Sequence, residues 1–286
     1  MPSPLFSVIL PTGGRRPEFL SEAVASVLAQ TNADFECIVV DDGDGEPVGL
    51  PDDPRFRLIR SGPNRGVAAA RNAGLDASRG RYITFLDDDD VLTPDRLDMA
   101  LEGLRRAPVS ICRLRFLDGK QHRGRVLEGD VYDTIIDGLT PHVGRAVVER
   151  SRVPRFNEEF ARAGGEDTDW WLRLARETPV ATVPRTGYLL RRRHSGRISD
   201  DTAWMIGVRI RLMQIHADYF AEHGRARAFS WKRIGLLARR LGDYRLARKA
   251  FLRSLRSRPD PKTMWHLARS LRPSGIAAGE SLVDSI

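Results

Sequence analysis

The chain has 286 residues, 41% hydrophobic and 29% charged, with a formal net charge of +8. That is enough to bury a sizeable core in one or two domains, and the composition is that of a soluble globular protein. The sequence has no apolar stretch of membrane-span length, no signal-peptide-like start and only two isolated cysteines, Cys37 and Cys112, so a cytoplasmic protein without a disulfide framework is expected.

In chain order, Phe6 to Leu10 reads as a buried strand stopped by Pro11. Phe19/Leu20, Ala23/Val24 and Val27/Leu28 recur at helical spacing and mark one apolar stripe. Phe35 to Val40 is a second strand ending in Asp41-Asp42-Gly43, and Phe56 to Ile59 a third. Between Asn64 and Ser78, Ala68, Ala69, Ala70, Ala73 and Gly74 make a helix suited to close packing on a sheet. Tyr82 to Leu86 is a fourth strand, Thr93 with Pro94 predicts a capped helix start, and Val109 to Phe116 is a further strand. Alternating strands and helices imply a mostly parallel α/β sheet with helices on both faces, whose ligands bind beyond the carboxyl ends of the strands.

Pro11-Thr12, Asp41-Asp42 and the run Asp87-Asp88-Asp89-Asp90 all fall at those ends. Adjacent carboxylates repel and raise one another's pKa unless a cation sits among them. Mg²⁺ and Mn²⁺ take oxygen ligands and commonly bind through one or two carboxylates plus substrate phosphates. This crevice therefore suits a metal–nucleotide complex.

The same residues resemble family 2 glycosyltransferases. The resemblance runs through Ser7 to Thr12, Ser26 to Thr31, Asp34 to Glu36, Val39 to Gly43, Arg71-Asn72-Ala73-Gly74, Gly80 to Leu86 with the aspartates, Gly165 to Arg173, and Arg193 to Ser199. It implies a GT-A fold and an inverting transfer of a sugar from a nucleotide diphosphate, UDP or dTDP first, to an acceptor hydroxyl, as in polysaccharide or glycoconjugate biosynthesis. Carried over, Pro11, Thr12 and Asp42 line the base and ribose pocket, Asp41 supports that loop, and Asp87, Asp88 and Asp89 form the DXD-type element. Asp89 is then the main carboxylate on Mn²⁺ or Mg²⁺, Asp167 the catalytic base, and His194 a late position able to reach the metal or the diphosphate. Glu166 and Trp170 are candidates for the acceptor side. Arg71 is open to two roles, contacting the diphosphate or pairing with an aspartate to hold its loop. Where the family usually has an aromatic-Asn pair after Pro-Thr, this chain has Gly13-Gly14-Arg15-Arg16. A sugar nucleotidyltransferase, or a non-catalytic basic scaffold retaining the fold, are the competing readings.

Composition changes near residue 204, which divides a GT-A domain over 1–203 from a basic α-helical extension over 204–286. The extension holds 17 Lys+Arg against 6 Asp+Glu, and the rest of the chain 29 against 32. Gly242-Asp243-Tyr244, Ala247, Phe251 and Leu255 fit the second helix of a tetratricopeptide-like hairpin over about 228–261, and Trp265 follows Trp231 at the 34-residue period of that repeat. The basic surface is open to a membrane-surface or protein partner, and an oligomer is compatible with it; specific nucleic acid is not expected.

Overall fold

The computed structural model describes residues 3–44, 48–62, 64–120, 126–132, 135, 140–160, 164–191 and 201–271. The chain divides into two compact units, one over Met1–Ile135 and Leu139–Ser195, the other over Ile136–Gly138 and Gly196–Ile286. This boundary precedes the compositional change at 204. The first helix of the second unit starts at Thr202, where the Asp201 side chain accepts from the Trp204 amide and fixes the helix start.

In the first unit, β1 (Phe6–Thr12), α1 (Pro17–Leu28), β2 (Phe35–Asp41), β3 (Phe56–Arg60), α2 (Val67–Ala77) and β4 (Tyr82–Phe85) follow the expected alternation. Then come β5 (Val91–Leu92), α3 (Arg96–Leu104), β6 (Val109–Phe116), β7 (Ala146–Glu149), α4 (Glu166–Ala175) and β8 (Val180–Leu190). They form an eight-stranded sheet of order β3-β2-β1-β4-β7-β6-β8-β5, in which β7 and β5 run against the other strands. The fold is GT-A, a mostly parallel α/β sheet. Every residue of β1 and β2 is buried, as strands covered on both faces require. Phe6, Val8 and Leu10 pack with α1 and α3. Ile9 faces the opposite side, where a Cβ at Gly74 of α2 would lie 2.3 Å from its Cγ2. The small residues of α2 thus bring that helix close to the sheet. Thr93 does not cap α3. Its hydroxyl bonds Asp95 and its carbonyl accepts from the Arg96 amide, so Thr93-Pro94-Asp95 form a turn and the helix starts two residues later than Pro94.

The second unit contains α5 (Thr202–Ile215), α6 (Ala217–Glu222), α7 (Gly224–Arg240), α8 (Tyr244–Ser257) and α9 (Pro261–Ser270). α7 and α8 fold back on each other across Leu241-Gly242-Asp243, with Gly242 at φ +82° and Asp243 capping α8 through the Leu246 amide. Ile234, Leu237 and Ala238 meet Leu246, Ala247, Ala250 and Phe251 in a small core. A Cβ at Gly235 would lie 2.5 Å from the Phe251 ring, so glycine there admits the ring. The helical hairpin expected from the sequence is present, with α9 following it.

Candidate active site

The site assembles where β1, β2 and β4 end. Thr12 and Asp41 are register partners, and the aspartate run leaves the sheet just past Phe85. The Thr12 hydroxyl donates to Asp88 Oδ2 at 2.6 Å and accepts from the Gly14 amide at 3.1 Å, tying the loop after β1 to the aspartate turn. Pro11 is buried within β1. Asp41 accepts from the Gly43 amide at 2.9 Å and lies 3.6 Å from Arg60. Asp42 accepts from the Ser61 hydroxyl and the Arg65 and Gly66 amides at 2.9, 3.0 and 2.7 Å, so both of its oxygens order the 61–66 turn.

Arg71 stands at the centre. Its guanidinium, 2% exposed, reaches Asp87 and Asp167 at 2.9 Å each and Glu166 at 3.5 Å. Of its two open roles, the structure shows the pairing. The side chain is buried with three carboxylates around it, which holds the aspartate turn to the start of α4. Burial opposes charge on Asp87, but Arg71 and His142 outweigh it and hold that carboxyl well below the usual range.

Both proposed acceptor-side residues also turn inward. Glu166 is 6% exposed and accepts from the Gly164 and Gly165 amides, closing its own loop; burial, with Asp167 beside it, raises its pKa. Trp170 is fully buried, stacked on Phe156 at 5.6 Å and donating through Nε1 to the Pro154 carbonyl. It is a core residue, because an indole flanked by Phe85, Phe156 and Trp171 buries more apolar area inside than at a pocket wall. Asp167, by contrast, is a quarter exposed and accepts from Arg71 at Oδ1.

Asp88 and Asp89 are half-buried. Burial, reinforced by the charges of Asp89 and Asp87, pushes Asp88 up to about 6. These are hard oxygen donors crowded enough for an arriving cation to relieve, so the donor set fits Mn²⁺ or Mg²⁺. His194 lies outside the described residues. Arg191, from the basic run preceding it, does reach the turn. Its amide donates to Asp90 Oδ1 at 2.8 Å and its Nε to the Asp89 carbonyl at 3.0 Å.

Two neighbours of the aspartate turn were not anticipated, His142 and Tyr188. His142 Nε2 lies 3.3 Å from Asp87 Oδ2, and the Tyr188 hydroxyl donates to Asp90 Oδ2 at 2.7 Å. The His142, Asp87 and Asp90 ligand atoms lie within 4.8 Å of one another, the spacing of a possible metal trio. The Nε2 side of the ring faces Asp87. Burial and the Gly144 amide, 3.3 Å from Nδ1, favour the neutral ring; Asp87, Asp167 and Asp90 favour the cation. The amide contact is long and the carboxylates prevail, lifting His142 to about 9. Burial pushes Asp90 up to about 7, with Asp87 and Asp89 adding to the rise. The only sequence signal for either residue is Gly144, where a Cβ would sit 2.3 Å from the Tyr188 ring.

The Glycosyl transferase family 2 profile matches residues 7–164. The chain belongs to that family. The succinoglycan biosynthesis protein ExoO of Rhizobium meliloti is 49% identical over 93 residues, 31% of this chain and 27% of that protein. The chain therefore matches only about a quarter of that relative's length. A glycosyltransferase of Haemophilus influenzae, itself uncharacterized, is 34% identical over 244 residues, 77% of this chain and 76% of its own. Among solved structures, residues 1–349 of S. aureus TarS superpose with a TM-score of 0.61 at 16% identity, over 93% of this chain and 87% of that one. The same TarS fragment in complex with UDP-GlcNAc gives 0.58 at 17% identity, over 86% and 90%. At these identities TarS shows the shared fold.

Proposed function

We propose that this chain transfers a glycosyl group with inversion from a nucleoside-diphosphate sugar to an acceptor hydroxyl, using Asp167 as general base. The observation that carries this reading is the single Arg71 guanidinium that binds Asp87 of the aspartate turn and Asp167 at 2.9 Å each. It brings the donor-side element and the proton acceptor within one side chain's span, though they are 80 residues apart in sequence. In the transfer, the acceptor oxygen bonds the anomeric carbon, the bond to the diphosphate breaks on the opposite face, and the leaving group takes that electron pair. The hydroxyl proton passes to Asp167, whose Oδ1 is oriented by Arg71. Thr12 fixes Asp88 at the donor pocket. A divalent cation held by Asp88 and Asp89 would offset the charge gathering on the departing diphosphate. UDP is the favoured nucleotide because TarS, of the same fold, is crystallised with UDP-GlcNAc. A saccharide acceptor fits the succinoglycan role named for ExoO.

UDP with Mn²⁺ should raise the melting temperature, and UDP alone should not. At 100 times its dissociation constant the ligand adds about 2.7 kcal/mol. Asp89→Ala should remove the metal-dependent part. Asp167→Asn should keep that shift while sugar transfer to a saccharide acceptor falls ~10²–10⁴-fold. Absence of any shift with nucleoside diphosphate plus metal would sink the donor site, and unchanged turnover in Asp167→Asn would sink the base assignment.

A further inference from the structure

The second unit concentrates two surface features that seldom coincide on a soluble helix pair. Residues 204–271 carry 16 Lys+Arg against 4 Asp+Glu. Two of those acids, Asp243 and Asp260, cap α8 and α9, and Asp260 also pairs with Lys232. In the same unit Leu241, Leu252, Met264, Trp265 and Leu271 are 45–64% exposed. Among the described residues the further exposed large hydrophobics are Leu58, Leu117 and Val126, at 36–55%, scattered through the first unit.

The two features share helix faces. On α8, Leu246, Ala247, Ala250, Phe251 and Ser254 are buried. The opposite stripe is Arg245, Lys249, Leu252 and Arg256, at spacings of four, three and four residues. On α9, Thr263 and Ser270 turn inward, while Met264 and Trp265 stand out at 59% and 53% exposure. The Arg269 guanidinium lies over the Trp265 ring, 4.6 Å from its centroid. Basic side chains beside an exposed indole and aliphatic tips match the chemistry of a headgroup layer over acyl chains, where tryptophan sits at the boundary and cations meet lipid phosphate. A nucleic acid would account for the charge but leave Leu252 and Met264 in water.

We propose that the outer faces of α8 and α9 dock the protein on an anionic lipid surface, with Trp265 and Met264 at the apolar boundary and Arg245, Lys249 and Arg256 on the phosphates. No helix among the described residues is long and apolar enough to cross a membrane, and the docking proposed here is by the outer faces of two helices. The proposal rests on the helical unit alone and stands or falls independently of the transferase reading.

The full chain should co-sediment with vesicles containing about one-third anionic lipid and not with neutral phosphatidylcholine vesicles. Raising NaCl from about 0.1 to about 0.5 M should weaken binding at least tenfold. The triple reversal Arg245→Glu, Lys249→Glu, Arg256→Glu should lose roughly a hundredfold. Trp265→Ala should lose several-fold with little change in salt dependence. Far-UV circular dichroism and melting curves establish that the variants fold. Should the triple variant unfold, Trp265→Ala and the conservative Arg256→Gln carry the test, since both positions are exposed. Failure to bind anionic vesicles, binding indifferent to these substitutions, or tighter retention on a single-stranded nucleic acid than on the vesicles would each overturn the proposal.

Discussion

The two units place their charge in opposite ways. In the sheet unit, Arg71, Asp87, Asp90, His142 and Glu166 are drawn into a buried or half-buried network at the strand ends. In the helical unit the core is Ile234, Ala238, Leu246, Ala250 and Phe251, and most of the basic side chains point outward. Ionised groups are costly to bury unless each is paired and hydrogen-bonded. A fold that accepts that cost in one place, at the mouth of a crevice, holds side chains in fixed relative positions, as chemistry requires. A fold that keeps charge outside has a surface for binding and little means of catalysis.

The comparison is broken most severely at Arg71. Arg71→Met would leave three carboxylates around a site that loses its cation, and about 3–5 kcal/mol of stability should be lost from the sheet unit. Urea unfolding followed by tryptophan fluorescence reads this, since Trp170 and Trp171 are both fully buried there. Arg71→Lys should recover only part of the loss, because an ammonium lacks the planar fork that reaches Asp87 and Asp167 together. A cost below ~1 kcal/mol for the methionine variant would mean that the network does not hold the site.

A smaller effect belongs to the helical unit. Gly235→Ala sets a methyl 2.5 Å from the Phe251 ring and should destabilise the hairpin by about 1–3 kcal/mol, reduced by the better helix propensity of alanine. Thermal melts by circular dichroism should show the loss while metal-dependent UDP binding persists. Loss of UDP binding in this variant would show that the two units are energetically inseparable.

The smallest effect sharpens the charge assignment. His142 moves from 6.5 to about 9 on folding, so the stability it lends is complete below pH 6.5 and is lost as pH rises through 9. Asp88 and Asp90, raised to about 6 and 7, lose their contributions at lower pH, and the buried Cys37 thiol, pushed up from 9.0, adds a loss above that value, so the difference between the native chain and a His142 variant in the slope over pH 7–9 reports the histidine. His142→Gln should flatten that slope in metal-free protein; an unaltered slope would place the titrating group elsewhere.

Local pattern carried much of this protein. The burial of β1 and β2, the small residues of α2 and the four aspartates after β4 are all visible in short windows, because strand period, helix period and strand-end position are local properties. The Gly242-Asp243-Tyr244 turn and the apolar stripe after it marked the α7–α8 hairpin for the same reason. β8 was hidden because Val180–Leu190 contains Pro184 and Gly187, which read as turn residues, and the strand accommodates them with register shifts against β6 around Cys112, Arg113 and Leu114. Sequence placed Glu166, Asp167 and Trp170 near one another at a helix start. Only packing decided that Glu166 folds back on the Gly164 and Gly165 amides, that Trp170 enters the aromatic core, and that Asp167 stays at the surface of the crevice. His142 and Tyr188 join Asp87 and Asp90 across 55 and 98 residues, and such pairings arise from the closure of long loops that no short window records. The sequence by itself determined the family, the parallel core and the acidic strand end, and tertiary structure alone decided which of the charged side chains share one guanidinium.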